Sequence, residues 1–120
     1  MIISGKKCSN QASVKEVASM TTKCLKESVP NEVPGIVFLS GGQSNELATQ
    51  HLNEMNKSYK SLPWNLSFSY GRALQQPSLN SWKGNDEKIL DSQNQLLKRS
   101  KLNSRATLGE YSEDLEKMAI

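Results

Sequence analysis

Cysteine is scarce in this chain. Only Cys8 and Cys24 occur among 120 residues, no CxxC spacing is present, and a lone His51 cannot complete a zinc set with them. The pair reads as two reduced thiols in a cytoplasmic protein, and neither a metal nor a cofactor is expected. Aromatic residues make up 6% of the chain, and the net charge of +3 comes from 15 basic and 12 acidic residues scattered without a basic block. Nucleic acid is therefore not an expected partner. No apolar run approaches the roughly twenty residues of a membrane span, and MIISGKKCSN lacks the apolar stretch of a signal peptide, so no membrane is expected either. A mean hydropathy of −0.59 and a hydrophobic share of 36% leave little material for an independent core. The chain reads as part of something larger. Asn56-Lys57-Ser58 and Asn65-Leu66-Ser67 fit the glycosylation pattern, but without a secretory context both read as chance.

What is present is organised around Val33–Met55, VPGIVFLSGGQSNELATQHLNEM. Ile36 to Leu39 is a continuous apolar run, as expected for a parallel strand buried on both faces. Ser40-Gly41-Gly42 ends it, and a helical pattern follows at once. Glycines there let the backbone approach a ligand, while Ser40 offers a hydroxyl and the next helix offers free N–H groups, the makings of an anion site. About thirty residues on, the spacing of one β/α repeat, Leu66 to Tyr70 alternates like a strand and ends in Gly71-Arg72.

The remaining elements fall around these two units. Met1-Ile2-Ile3 reads as the end of a strand. Ser13-Val14-Lys15-Glu16 is a capping box that opens a helix to about Ser28, with Val14, Val17, Ala18, Thr21 and Leu25 on its buried stripe. A second helix after Gln43 or Ser44 turns Leu47, Ala48, Leu52 and Met55 inward, with His51 expected as an ordinary helix-surface residue. Past Arg72 a short helix is expected to be turned or interrupted at Pro77. Trp82 to Asn85 is a break, Asp86 to about Leu102 is a long polar helix carrying Ile89, Leu90, Leu96 and Leu97, and from Asn103 onward a mobile tail is expected. Strands alternating with helices mean βα units and a parallel sheet, with polar turns at the strand C-termini, where α/β folds place their sites.

GIVFLSGGQSNELAT, LNEMNK and PWNLSFSYGRALQQ, together with Asn103-Ser104 and Gly109-Glu110-Tyr111, closely resemble the C-terminal third of class I fructose-bisphosphate aldolases. The resemblance implies an α/β fold, the C-terminal part of a (β/α)8 TIM barrel over residues 1–109. Its sixth strand would end at Met1, its seventh would be Ile36–Leu39, its eighth Leu66–Tyr70, and 110–120 would form a flexible tail. It implies reversible cleavage of fructose 1,6-bisphosphate to dihydroxyacetone phosphate and glyceraldehyde 3-phosphate through a lysine Schiff base, without metal or cofactor. Carried over by motif, Ser40, Gly41, Gly42, Tyr70, Gly71 and Arg72 hold a substrate phosphate. The imine lysine is expected just upstream of Met1, and none of Lys6, Lys7, Lys15 or Lys23 matches its motif. A homotetramer is implied for the complete enzyme. The alternative is a truncated, non-catalytic phosphate-binding or interaction protein derived from an aldolase. Lys117-Met118-Ala119-Ile120 departs from the tyrosine with which the family often ends.

Overall fold

The computed structural model describes residues 1–118; the expectations for Ala119 and Ile120 lie outside the described residues. Helix α1 spans Val14–Ser28, strand β1 Gly35–Phe38, helix α2 Asn45–Ser58, strand β2 Asn65–Phe68, helix α3 Arg72–Trp82 and helix α4 Ile89–Thr107. Short 3-10 turns at Asp86–Lys88 and Glu113–Lys117 flank α4. β1 and β2 pair in parallel, Gly35 against Asn65 through Phe38 against Phe68. Both ends of α1 follow from its sequence: Ser13 Oγ accepts the Glu16 N–H at 3.2 Å, and the Val29 N–H closes on Leu25 O before Pro30.

α2 is the hub of the core. Ala48, Leu52 and Met55 are fully buried and pack with Ala18 of α1, Phe38, Leu66, Leu102 and Ala106. Asn56 of the same helix gives its amide hydrogens to the carbonyls of Leu52, Leu66 and Ala106, tying α2, β2 and α4 together. Trp64 is buried just before β2, its indole N–H donating to Pro30 O at 2.8 Å.

Several expectations need correction. Met1 to Ile3 forms no strand: the Ile2 N–H is spent on Thr21 Oγ1 of α1 at 2.9 Å, so it supplies no ladder bond. β1 is buried on one face only, with Phe38 6% exposed but Val37 62% and Leu39 70%, because the helices packed on the sheet cover alternate side chains. α3 runs straight through Pro77. The proline forfeits one backbone bond, yet the helix is held along α4, where Ser92 Oγ donates to Ser78 O at 2.9 Å. In α4 the expected apolar residues Ile89, Leu90, Leu96 and Leu97 are exposed, whereas Arg99, Leu102, Asn103 and Ala106 face inward. The helix continues to Thr107, past the point where a tail was expected, and Tyr111 beyond it is buried.

The radius of gyration, 15.3 Å, exceeds the about 13.6 Å of a compact chain of this length. The two-stranded sheet leaves both outer edges unpaired among the described residues.

Candidate functional site

The parallel register brings the two strand-end loops together. β1 pairs with β2 at a constant offset, and beyond the last pair the Ser69 N–H still bonds Phe38 O at 2.8 Å. Ser40-Gly41-Gly42 and Tyr70-Gly71-Arg72 therefore leave the same edge side by side, and all six expected site residues lie on it.

The chemistry of this edge begins with its backbone. Gly41 and Gly42 adopt φ of +59° and +79°, left-handed conformations that cost an L side chain on the order of 1–2 kcal/mol each. A Cβ on Gly42 would meet nothing within 4 Å, so the requirement there is conformational and the space above it is open. Ser44 caps α2, its Oγ accepting the Leu47 N–H at 3.2 Å. α3 begins differently: Gly71 provides no side-chain cap, and among the described residues the N–H groups of Arg72 and Ala73 are left for an outside acceptor. Two helix N-termini thus converge on one edge, each with a partial positive charge.

Arg72 opens α3 and is exposed, and among the described residues its guanidinium makes no hydrogen bond or ion pair. Its five donors remain available for a forked grip on an oxyanion. Ser40 is buried, and its carbonyl accepts both the backbone N–H of Gln43 at 3.1 Å and the Gln43 side-chain amide at 2.7 Å. Tyr70 is buried as well, and its hydroxyl donates to Ala48 O of α2 at 2.7 Å. Burial pushes its phenol well above the ordinary range. The Tyr70 ring is a strut, which leaves the backbone of the turn to face a ligand.

His51, expected on the surface, is 2% exposed. Its Nδ1 lies 2.6 Å from Gln43 Oε1, its Nε2 has no partner among the described residues, and burial lowers its pKa to about 4. Sequence reasoning also missed the cluster that seats the segment after α4. Arg99, 3% exposed, gives Nη1 to both Glu116 oxygens at 2.7 Å and Nη2 to Asn45 O and Thr49 Oγ1, while Tyr111 donates to Glu116 at 2.8 Å. The signal was the 99, 102, 103, 106 spacing of one helix face, masked because two of its four members are polar. No group of three or more His, Cys, Asp or Glu among the described residues could hold a metal, and no described helix is long and apolar enough to cross a membrane.

Parallel βα units with glycine turns and helix starts at their strand C-termini define an α/β protein. The family model for fructose-bisphosphate aldolase class-I matches residues 1–120. A probable fructose-bisphosphate aldolase class 1 of Xanthomonas axonopodis pv. citri is 52% identical over 112 residues, 92% of this chain and 33% of that protein. The cytoplasmic isozyme of Spinacia oleracea is 54% identical over 79% of this chain and 27% of its own length. The chloroplastic aldolase 3 of Arabidopsis thaliana is 52% identical over 97% and 29%. The aldolase of Plasmodium falciparum, solved in complex with TRAP and a small molecule inhibitor, superposes with a TM-score of 0.86 and 43% identity over 91% of this chain and 31% of that one. The chain belongs to the class I fructose-bisphosphate aldolase family. It spans about a third of the length of the relatives it matches.

Proposed function

We propose that these residues form the phosphate-binding strand ends of a class I fructose-bisphosphate aldolase, completing a (β/α)8 barrel whose earlier strands precede Met1. The reading is carried by one observation: Arg72 stands with unspent donors beside the Gly41-Gly42 turn and the uncapped start of α3, on one sheet edge. A phosphate monoester satisfies all three at once, accepting a forked pair from Arg72 and further bonds from loop and helix amides. The open sheet edges, and the exposed Val37 and Leu39 on the uncovered face of β1, fit neighbouring strands and the packed interior of a barrel.

In this reading the substrate is fructose 1,6-bisphosphate, bound in a homotetrameric cytoplasmic enzyme. A lysine just upstream of Met1 condenses with the ketose carbonyl, releasing water, and the protonated imine accepts the electron pair of the carbon–carbon bond as it breaks. The aldehyde leaves as glyceraldehyde 3-phosphate, and protonation and hydrolysis of the remaining carbanion equivalent free dihydroxyacetone phosphate. The contribution of this chain is positional: gripping one phosphate fixes the carbonyl against the amine. No lysine of this chain is assigned to the imine.

Borohydride trapping with dihydroxyacetone phosphate tests the assignment. A full-length product should give one reduced adduct, on a lysine preceding Met1, and residues 1–120 alone should give none. A stoichiometric adduct on Lys6, Lys7, Lys15 or Lys23 would contradict it. Phosphate binding by a product that forms no adduct at any lysine would favour a non-catalytic phosphate-binding protein.

A further inference from the structure

Gln43 and His51 form a brace beneath the Gly41-Gly42 turn. The Gln43 side-chain amide donates to Ser40 O at 2.7 Å while its backbone N–H donates to the same carbonyl at 3.1 Å, so one residue closes the turn twice. Because the Nε2 end of the amide points at Ser40, the Oε1 end must accept, and the atom facing it at 2.6 Å is His51 Nδ1. Nδ1 therefore carries the hydrogen and Nε2 is a bare acceptor, consistent with the lowered pKa of a buried neutral imidazole. His51 is anchored in α2, whose neighbouring residues Leu52 and Ala48 are core. Two short bonds in series thus connect the rigid hub helix to the carbonyl preceding both glycines. The cleft above them, about 340 Å³, is lined by Gly41, Gly42, Gln43, Ser44 and His51 together with the Ile3–Ser4 segment.

We propose that Gln43 and His51 are positioning residues that hold the Ser40–Gly42 turn in its ligand-ready conformation. Left-handed glycines such as these have little intrinsic preference for one conformation, so without a brace the turn samples several and its amides no longer converge. Neither residue needs to touch the phosphate. The inference rests on the phosphate reading for its functional consequence, but not for its structural one.

The test uses the full-length gene product carrying these residues, with inorganic phosphate and fructose 1,6-bisphosphate as ligands. Long-range 1H–15N spectra of unaltered protein should show a neutral His51 with its hydrogen on Nδ1; a hydrogen on Nε2, or a charged ring at pH 7, overturns the brace without any variant. In Gln43→Ala and His51→Leu the amide order parameters of Gly41 and Gly42 should fall from about 0.85 to below about 0.6. Phosphate affinity should weaken about tenfold, with KM rising more than kcat falls. His51→Asn should restore both, because its Nδ2 is bonded to Cγ as the imidazole Nδ1 is and can donate to the same Gln43 oxygen. Unchanged glycine order parameters in Gln43→Ala, or a His51→Asn variant no better than His51→Leu, would refute the brace. If Arg72→Ala leaves phosphate affinity unchanged, the phosphate reading fails while the order parameters still decide the brace.

Discussion

Two arginines of this chain have opposite surroundings. Arg99 is 3% exposed and its terminal nitrogens are occupied by Glu116, Asn45 and Thr49; Arg72 is exposed and holds nothing among the described residues. Arg99 fastens the segment after α4 to the start of α2, and Tyr111 completes the clasp through Glu116 and through its N–H to Asn53 Oδ1 at 2.9 Å. The strand-end edge has no such closure. Gly42 and Gly71 face open space and the start of α3 is uncapped. A buried charge held by a carboxylate reports a structural joint, and an unspent charge beside free backbone donors is what the proposed phosphate grip rests on.

The contrast can be broken at its rigid end first. Glu116→Ala leaves the Arg99 guanidinium buried without its counter-charge, and should lower unfolding stability by about 3 kcal/mol, read from the denaturant midpoint. A loss below about 1 kcal/mol would show that the clasp is a surface ion pair in solution.

Gly109 sharpens the same end. It closes α4 at φ +72°, with the Glu110 N–H returning to Arg105 O at 3.0 Å, and an added Cβ would sit 2.9 Å from Lys57 Cα. Gly109→Ala should cost about 1–3 kcal/mol and loosen the segment after it, seen as faster amide exchange at Tyr111. Unaltered exchange would mean that the α2 backbone yields easily. At the open end, Arg72→Ala should change stability by less than about 0.5 kcal/mol, and a larger loss would place Arg72 with Arg99 as a structural residue.

His51 adds a pH dependence. The His51 pKa falls from 6.5 in the unfolded chain to about 4 when folded, so the unfolded state binds more protons between these values. The stability that His51 contributes is complete above pH 6.5 and is lost as pH falls toward 4. His51→Asn should flatten the stability profile in that window, and an unchanged slope would contradict a neutral buried ring.

The open edge was far more legible in the sequence than the clasp. Strand, glycine turn and capped helix are local patterns, and the α1 and α2 starts at Ser13 and Ser44 follow from residues within four positions. The clasp joins residues far apart, Asn45 with Arg99 and Asn53 with Tyr111, and its helix face is half polar, so hydrophobic periodicity pointed to Leu96 and Leu97 instead. His51 escaped for a related reason: its partner Gln43 precedes the helix, and a buried polar pair leaves no apolar signal. Pro77 misled because a local breaker was overridden by packing along α4.

The central claim, that this edge reads a phosphate, is tested most directly by Arg72→Ala in the full-length gene product, assayed on fructose 1,6-bisphosphate and on a ketose lacking the phosphate held here. A charge-assisted hydrogen bond contributes roughly 1.5–3 kcal/mol, so KM for the bisphosphate should rise about ten- to a hundredfold, with Arg72→Lys recovering only part. The kcat/KM of the other ketose should scarcely change. Equal losses on both substrates would contradict the claim and assign Arg72 to the fold or to the chemistry itself.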